Sequence, residues 1–413
     1  MEKNFYQKTK LLNNLPKTFS LNTNILNNDI QLFINKNIGV SVAQLALKKN
    51  PFPTVNWIDI LNQIAAKSKA KDKLPTWFSS KNIIYPSKIS VEQTSSEKTA
   101  LYKSTLVSGE KLIDLTGGFG VDDFYFAKKI KNVFHCEMNK ELAEIVQHNF
   151  EVLEAENIKC YFGDSFEILK NLNQQYDWIY IDPSRRNDEK GKVFRLKDCL
   201  PNIPELLNDY LSFTTNILIK TAPLLDISAG LSELKNVKNI HIVAVDNEVK
   251  ELIWEIQKNY LDAITIKSIN FNKEKTDIFD FTLNENQNPS KFKLPQKYLF
   301  EPNAAIMKSG GFDQVSHSFK INKLHSHSHL YTSNELIAFP GRSFEIIRVC
   351  EYNKKEMKKF LERKKANLTI RNFPETVENI RQKWKIESGG NEYCFFTTNA
   401  DNQKIVLICK KIE

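Results

Sequence analysis

The stretch Lys111–Lys129, "KLIDLTGGFGVDDFYFAKK", decides the fold. An apolar run ends on Asp114, a glycine cluster follows, and a helical pattern runs from Val121 to Ile130. Strand, glycine turn and helix in that order open a βαβ unit. Such a turn sits at the carboxyl edge of the sheet, where open α/β folds bind ligands. Working outward, "NVFHCEM", "IKCYFG", "DWIYIDP", "NILIKTAP" and "NIHIVAV" read as strands. Helices are expected over Lys140–Ala155 and in "SFEILKNL", and Val249, Leu252, Ile253 and Ile256 give a further helical face. "ITIKSINF" and "IFDFTLN" have strand character. Short apolar strands separated by helices imply a parallel sheet covered on both faces.

The turn itself reads "LTGGFG", with Gly117, Gly118, Phe119 and Gly120. Glycine supplies positive φ and lets backbone approach a ligand closely. A dinucleotide site wants GxGxxG with a pyrophosphate on the helix N-terminus, and an acid at Asp114 would repel that anion. No GK[ST] follows, which excludes a P-loop. A ligand with a cationic end and no phosphate fits better, and S-adenosylmethionine is such a molecule. Asp114 would neutralise its amino end and the turn amides its carboxylate. Glu137 ends the second strand, about 20 residues on, the spacing of a ribose-binding acid. Asp164 ends the third strand and is placed to accept from an adenine amino group, with helix capping before "SFEILKNL" as its rival role. Asp182 ends the fourth strand.

Composition sets the wider frame. The 413 residues, 41% hydrophobic and 26% charged, are those of a soluble globular protein of two or three domains. No apolar run is long enough for a membrane span and no signal-peptide core stands at the N-terminus, so a cytoplasmic protein is expected. The six cysteines form no CxxC pair, and Cys136 and Cys160 read as buried small hydrophobes. The net charge of +9 is uneven: residues 281–413 hold 22 Lys+Arg against 14 Asp+Glu, the first 280 hold 36 against 35. A basic C-terminal part points to a polyanion partner, or to a solvated lysine-rich surface. Residues 1–90 read as helices, through "SVAQLALKK" and "WIDILNQIAAKSKAK". "LNENQNPSKFKLPQ" reads as a linker, and beyond it short strands and the basic stretch "NKKEMKKFLERKKA" form an α+β module.

The order "DLTGGFGVD", "CEMNKEL", "FGDSFEIL", "DWIYIDPSRR" resembles the class I S-adenosylmethionine-dependent methyltransferases. "SVEQTSSEKTALYKS" is similar to the helix that covers the methionine end in such enzymes. "DPSRR" with "YLFEPNAAIMKSGGF", "SHLYTS" and "RNFP" resembles the bacterial methyltransferases with a THUMP-like C-terminal domain. The resemblance implies a Rossmann-like α/β methyltransferase sheet at 91–284, after an N-terminal helical domain at 1–90. It implies a ferredoxin-like segment at 285–343 and a THUMP-like domain at 344–413. It further implies S-adenosylmethionine as cofactor and structured RNA, tRNA or rRNA, as partner through the basic C-terminal module. On it, the cofactor-binding residues are Asp114, Thr116, Gly117, Gly118, Phe119, Gly120, Glu137, Met138, Asp164, Ser165 and Asp182.

For the chemistry, Asp182, Ser184 and Arg185 are the candidate catalytic residues. Amino-methylating relatives carry (D/N)PP and an aromatic, where this chain has Asp182-Pro183-Ser184-Arg185-Arg186. Asp182 is expected to position the acceptor or take its proton, and Arg185 or Arg186 to contact a phosphate, since an arginine fork binds two oxygens. A carbon-5 pyrimidine enzyme needs a cysteine nucleophile. "KTAPLLD" has none, and Cys199 stands 17 residues beyond Asp182, which disfavours that chemistry. Lys220 is a weaker candidate. His325, His327 and His329 alternate, but no acid or cysteine stands beside them, so no metal is expected. The basic stretch Lys354–Lys365 carries seven positive charges and suits RNA phosphates. The competing function classes are a non-catalytic RNA-binding protein on a degenerate scaffold and a methyltransferase of protein or small molecules.

Overall fold

The structure, a computed structural model, describes residues 23–185, 195–273, 275–285 and 289–412. They form two compact units, one running to residue 185 and taking in Lys197–Ile219, the other comprising Lys220 onward.

The first unit opens with the helices Asn28–Lys36, Trp57–Lys73, Lys88–Gln93 and Glu97–Ser104, as the N-terminal periodicity requires. Asn27, Asn56, Ser87 and Ser96 cap them, each side chain accepting a first-turn amide. Ile60, Leu61 and Ile64 turn inward from the longest. Trp77 is fully buried and meets Phe124 at 4.9 Å, edge to face. One core therefore joins the N-terminal helices to the helix Val121–Phe126 that follows the glycine turn.

Its strands are β1 (Lys111–Asp114), β2 (Asn132–Glu137), β3 (Ile158–Phe162), β4 (Trp178–Ile181), the two-residue β5 (Ser184–Arg185) and β6 (Cys199–Leu200), and β7 (Asn216–Thr221). The order β7-β4-β1-β2-β3 is parallel throughout. β1, β2 and β4 are almost wholly buried, so they read as continuous apolar runs. The loops after β4, β1, β2 and β3 consequently open side by side at one sheet edge. β5 and β6 form a separate antiparallel ribbon.

The second unit holds β8 (Val237–Val245), β9 (Glu248–Gln257), β10 (Thr265–Phe271) and β11 (Thr276–Thr282), in the order β11-β10-β8-β9. The helical face expected at Val249–Ile256 is in fact β9, antiparallel to β8. Asp246 and Asn247, both at positive φ, close the hairpin in two residues. Leu252, Ile253 and Trp254 are all fully buried, and a short apolar run buried on both faces has no period to distinguish strand from helix. Next come β12 (Tyr298–Pro302), β13 (Asn322–Lys323), β14 (Tyr331–Ser333), β15 (Gly341–Glu351), β16 (Lys365–Arg371), β17 (Glu387–Thr398) and β18 (Lys404–Lys411). They form one sheet in the order β13-β14-β12-β15-β18-β17-β16. The basic helix spans only Lys354–Phe360; Arg363 has φ 59°, and Lys365 already begins β16, which the sequence reading did not distinguish. Of the cysteines, Cys160 is half-buried and the other five are buried. Among the described residues no helix is long and apolar enough to cross a membrane.

Candidate active site

The strand order places the four acids in a row. β4, β1, β2 and β3 are neighbours, so Asp182, Asp114, Glu137 and Asp164 follow one another along the carboxyl edge. At about 4.8 Å between strands the row spans roughly 14 Å, the scale of an extended nucleoside.

The turn after β1 is built by glycine at specific points. Gly118 and Gly120 have φ of +55° and +73°. Gly118 donates its amide to Glu137 Oε2 at 3.0 Å, and Glu137 Oε1 accepts the Asn139 amide at 2.7 Å. Glu137 thus spans the loops after β1 and β2. Gly117 packs on His135: a Cβ there would stand 2.1 Å from the imidazole Cε1.

Asp114 lies beneath this turn and not at its face. It is 1% exposed, and its Oδ1 accepts the Thr116 amide at 2.7 Å and the Thr116 hydroxyl at 3.0 Å. The expected direct meeting with a cationic ligand is corrected accordingly: Asp114 shapes the loop. His135 Nδ1 sits 2.6 Å from Asp123 Oδ2, both side chains fully buried, with His135 Nε2 taking no hydrogen bond. Burial, then repulsion from Asp123, holds the Asp114 carboxyl well above the usual carboxylate range. Burial raises Asp123 likewise and lowers His135. Burial disfavours the charged form of each, so the group carries less charge than its ionised formula. No spacing rule pointed to Asp123 or His135.

Phe119 is also corrected. Its ring is 4% exposed and packs against Trp77 and Tyr85, each at 6.3 Å, so only its backbone stays at the turn. Met138 is 66% exposed. Asp164 caps the helix Ser165–Leu172, its Oδ1 accepting the Phe166 and Glu167 amides at 3.0 Å each. The capping role is realised, and it leaves Oδ2 for a ligand.

The loop after β4 is tied to the glycine turn. The Asp182 amide donates to Thr116 Oγ1 at 2.6 Å. Ser184 is exposed and faces Leu200 in the ribbon, while Arg185 faces Cys199. Arg186 lies outside the described residues. This pairing corrects the spacing argument against Cys199: antiparallel pairing returns it to the loop after β4, although it is fully buried. Lys220 is buried near the end of β7.

Sequence reasoning also missed a cluster at the start of the helix Val121–Phe126. Lys103, fully buried, pairs with Asp122 Oδ1 at 3.1 Å. Ser95 and Tyr180 each donate a hydroxyl to Asp122 Oδ2 at 2.8 Å. Glu97 accepts from Tyr125 and Thr76. The segment expected to cover one end of the site is anchored there by charge and hydroxyls.

This edge carries the carboxylates of Glu137, Asp164 and Asp182 beside a glycine turn that holds no lysine, a set that suits hydroxyl and amino groups better than a phosphate. A parallel sheet with a glycine turn after its first strand and acids at the next strand ends is the arrangement of an open α/β ligand-binding domain. Residues 298–340 match the ferredoxin-like domain family and residues 341–411 the THUMP domain-like family. A crystal structure of a candidate methyltransferase from Porphyromonas gingivalis W83 superposes with a TM-score of 0.85 at 31% identity, over 96% of this chain and 100% of that one. An uncharacterised RNA methyltransferase of Mycoplasma mobile is 29% identical over 84 residues, which are 20% of this chain and 23% of that protein. The chain belongs to the family of methyltransferases with a THUMP-like C-terminal domain.

Proposed function

We propose that this protein transfers a methyl group from S-adenosylmethionine to structured RNA, tRNA or rRNA, in the cytoplasm. The observation that carries the reading is the row of strand-end acids beside the glycine turn, with Glu137 holding the Gly118 amide. In this reading 91–284 is the catalytic domain, 285–343 the ferredoxin-like segment, 344–413 the THUMP-like domain, and 1–90 a helical arm.

The cofactor would lie against the backbone of the turn Gly117–Gly120, whose Gly117, Gly118 and Gly120 amides are taken up by Cys136, Glu137 and Gly117 within the fold, with Glu137 at the ribose, Asp164 Oδ2 at the adenine, and Met138 and Ser165 flanking. Asp114 and Thr116 act beneath it by fixing the turn. S-adenosylmethionine supplies an electrophilic methyl on sulfur. Asp182 orients the acceptor and takes its proton where it carries one, a role worth about 10²–10⁴-fold in general base catalysis. Ser184 and Arg185, next in the chain after Pro183, are the further candidates for acceptor contacts.

Calorimetry with S-adenosylmethionine and its demethylated product tests the cofactor half of the reading. Uptake of both is expected, with a raised melting point, because a ligand that binds only the folded state stabilises it. Mass spectrometry of RNA from a deletion strain tests the substrate half: one methylated nucleoside should disappear. A full set of modified nucleosides in that strain would remove RNA as the substrate.

A further inference from the structure

The second unit contains a charge arrangement that the methyl-transfer reading leaves unused. Glu301 on β12 faces Arg342 on β15 in the ladder and is 3% exposed. Arg342 donates to its Oε2 through Nε at 2.7 Å and through a terminal nitrogen as well. Arg371, at the end of β16, donates to Oε1 at 2.8 Å. β16 stands four places from β12 in the sheet, so this contact brings a curved sheet's edge back toward its middle.

One carboxylate here holds two guanidiniums. The pair retains a positive surplus, and both arginine side chains keep more than a third of their surface exposed, 39% and 36%. Each guanidinium has five N–H donors, and Glu301 uses only some of them. Arg371 Nε is buried and takes no hydrogen bond. One arginine already neutralises Glu301; the second leaves the cluster with a net positive charge.

The histidine loop lies beside this pair. His325 Nδ1 is 3.0 Å from Asn372 Nδ2, and its Nε2 is 3.0 Å from Asn402 Oδ1. Ser328 donates to the Thr398 carbonyl at 2.9 Å. His329 stacks on Phe312 at 3.6 Å, and its buried Nδ1 also takes no hydrogen bond. Lys323 and Arg371 act on His329 as positive neighbours, with Asp313 the opposing charge. Through the Arg371–Glu301 and Asn372–His325 contacts, "FEPN", "HSHSH" and "RNFP", far apart in sequence, meet in the C-terminal unit.

We propose that Arg342 and Arg371, preorganised by Glu301, bind a backbone phosphate of the RNA substrate, an assignment that rests on the RNA reading above. Two forks fixed by one buried carboxylate present a rigid, bidentate anion site, the geometry that favours arginine over lysine for phosphate. The sheet closure makes it composite: Glu301 comes from the ferredoxin-like segment and both arginines from the THUMP-like one.

The test is fluorescence anisotropy of the full chain with a labelled RNA hairpin across a salt series. Glu301→Gln/Arg342→Gln/Arg371→Gln removes the buried charge together with its partners, so no isolated carboxylate is left inside. About tenfold weaker binding is expected, and a salt slope smaller by about one, the value for one phosphate contact. Cofactor uptake by the same variant should be unchanged. Arg342→Lys/Arg371→Lys keeps the charges without the forks and should bind between the two. Unchanged affinity and slope in the triple variant would overturn the proposal, as would a lysine pair as tight as the unaltered protein. If the unaltered protein takes up the cofactor but no hairpin, the RNA reading itself fails and this site with it.

Discussion

The Asp182 amide donates to the Thr116 hydroxyl at 2.6 Å, and that hydroxyl also donates to Asp114 Oδ1. One side chain therefore couples the acceptor loop after β4 to the cofactor turn after β1. Thr116→Val keeps the shape and removes both bonds. The partly buried Asp182 amide loses its acceptor, at a cost of at most about 1–3 kcal/mol. Cofactor affinity is expected to fall about tenfold, read by calorimetry, with a turnover loss at saturating cofactor because the acceptor loop loosens too.

Asp182 separates binding from chemistry. Asp182→Ala should keep cofactor affinity within about twofold and lower single-turnover methyl transfer by about 10²-fold or more. Transfer at the unaltered rate would remove Asp182 from the reaction.

The floor of the turn is tested by adding one carbon. Gly117→Ala puts a Cβ 2.1 Å from His135 Cε1, so ring or turn must move. Overpacking of this kind costs about 1–3 kcal/mol in urea unfolding. His135→Ala vacates the space, so the double variant should be less damaged than the sum of the two singles, with a coupling above about 1 kcal/mol. Strict additivity would mean that the two residues do not press on each other.

Lys103 is fully buried against Asp122. Lys103→Met strands a largely buried carboxylate and is expected to destabilise by about 3 kcal/mol, the scale for breaking such a pair on one side. Lys103→Met/Asp122→Asn should recover part of that loss in a denaturant titration.

His329 gives a pH dependence. Burial, with Lys323, His327 and Arg371 adding to it, lowers its ionisation to about 4. Between its ordinary value near 6.5 and 4 the unfolded chain binds the proton and the folded chain does not. Its contribution is therefore present above pH 6.5 and is lost as pH falls toward 4. His329→Phe, which keeps a ring against Phe312, should flatten the fall in melting temperature across that window.

Local periodicity and punctuation determined a good deal of this protein. Glycine after an apolar run marks a strand-to-turn junction, and each strand's last residue can be read from where its apolar run stops. That is why Asp114, Glu137, Asp164 and Asp182 were legible as strand-end acids, and the N-terminal helices as helices. Tertiary packing decided what period cannot encode. Only the closed core shows that Phe119 turns toward Trp77 and that Asp114 lies beneath the loop it was expected to line. Only strand pairing returns Cys199 to Arg185, turns Val249–Ile256 into β9, and folds Arg371 onto Glu301. The reason is physical: a residue's local pattern fixes which face it occupies, while its neighbour across space depends on how distant segments bury their apolar surface together.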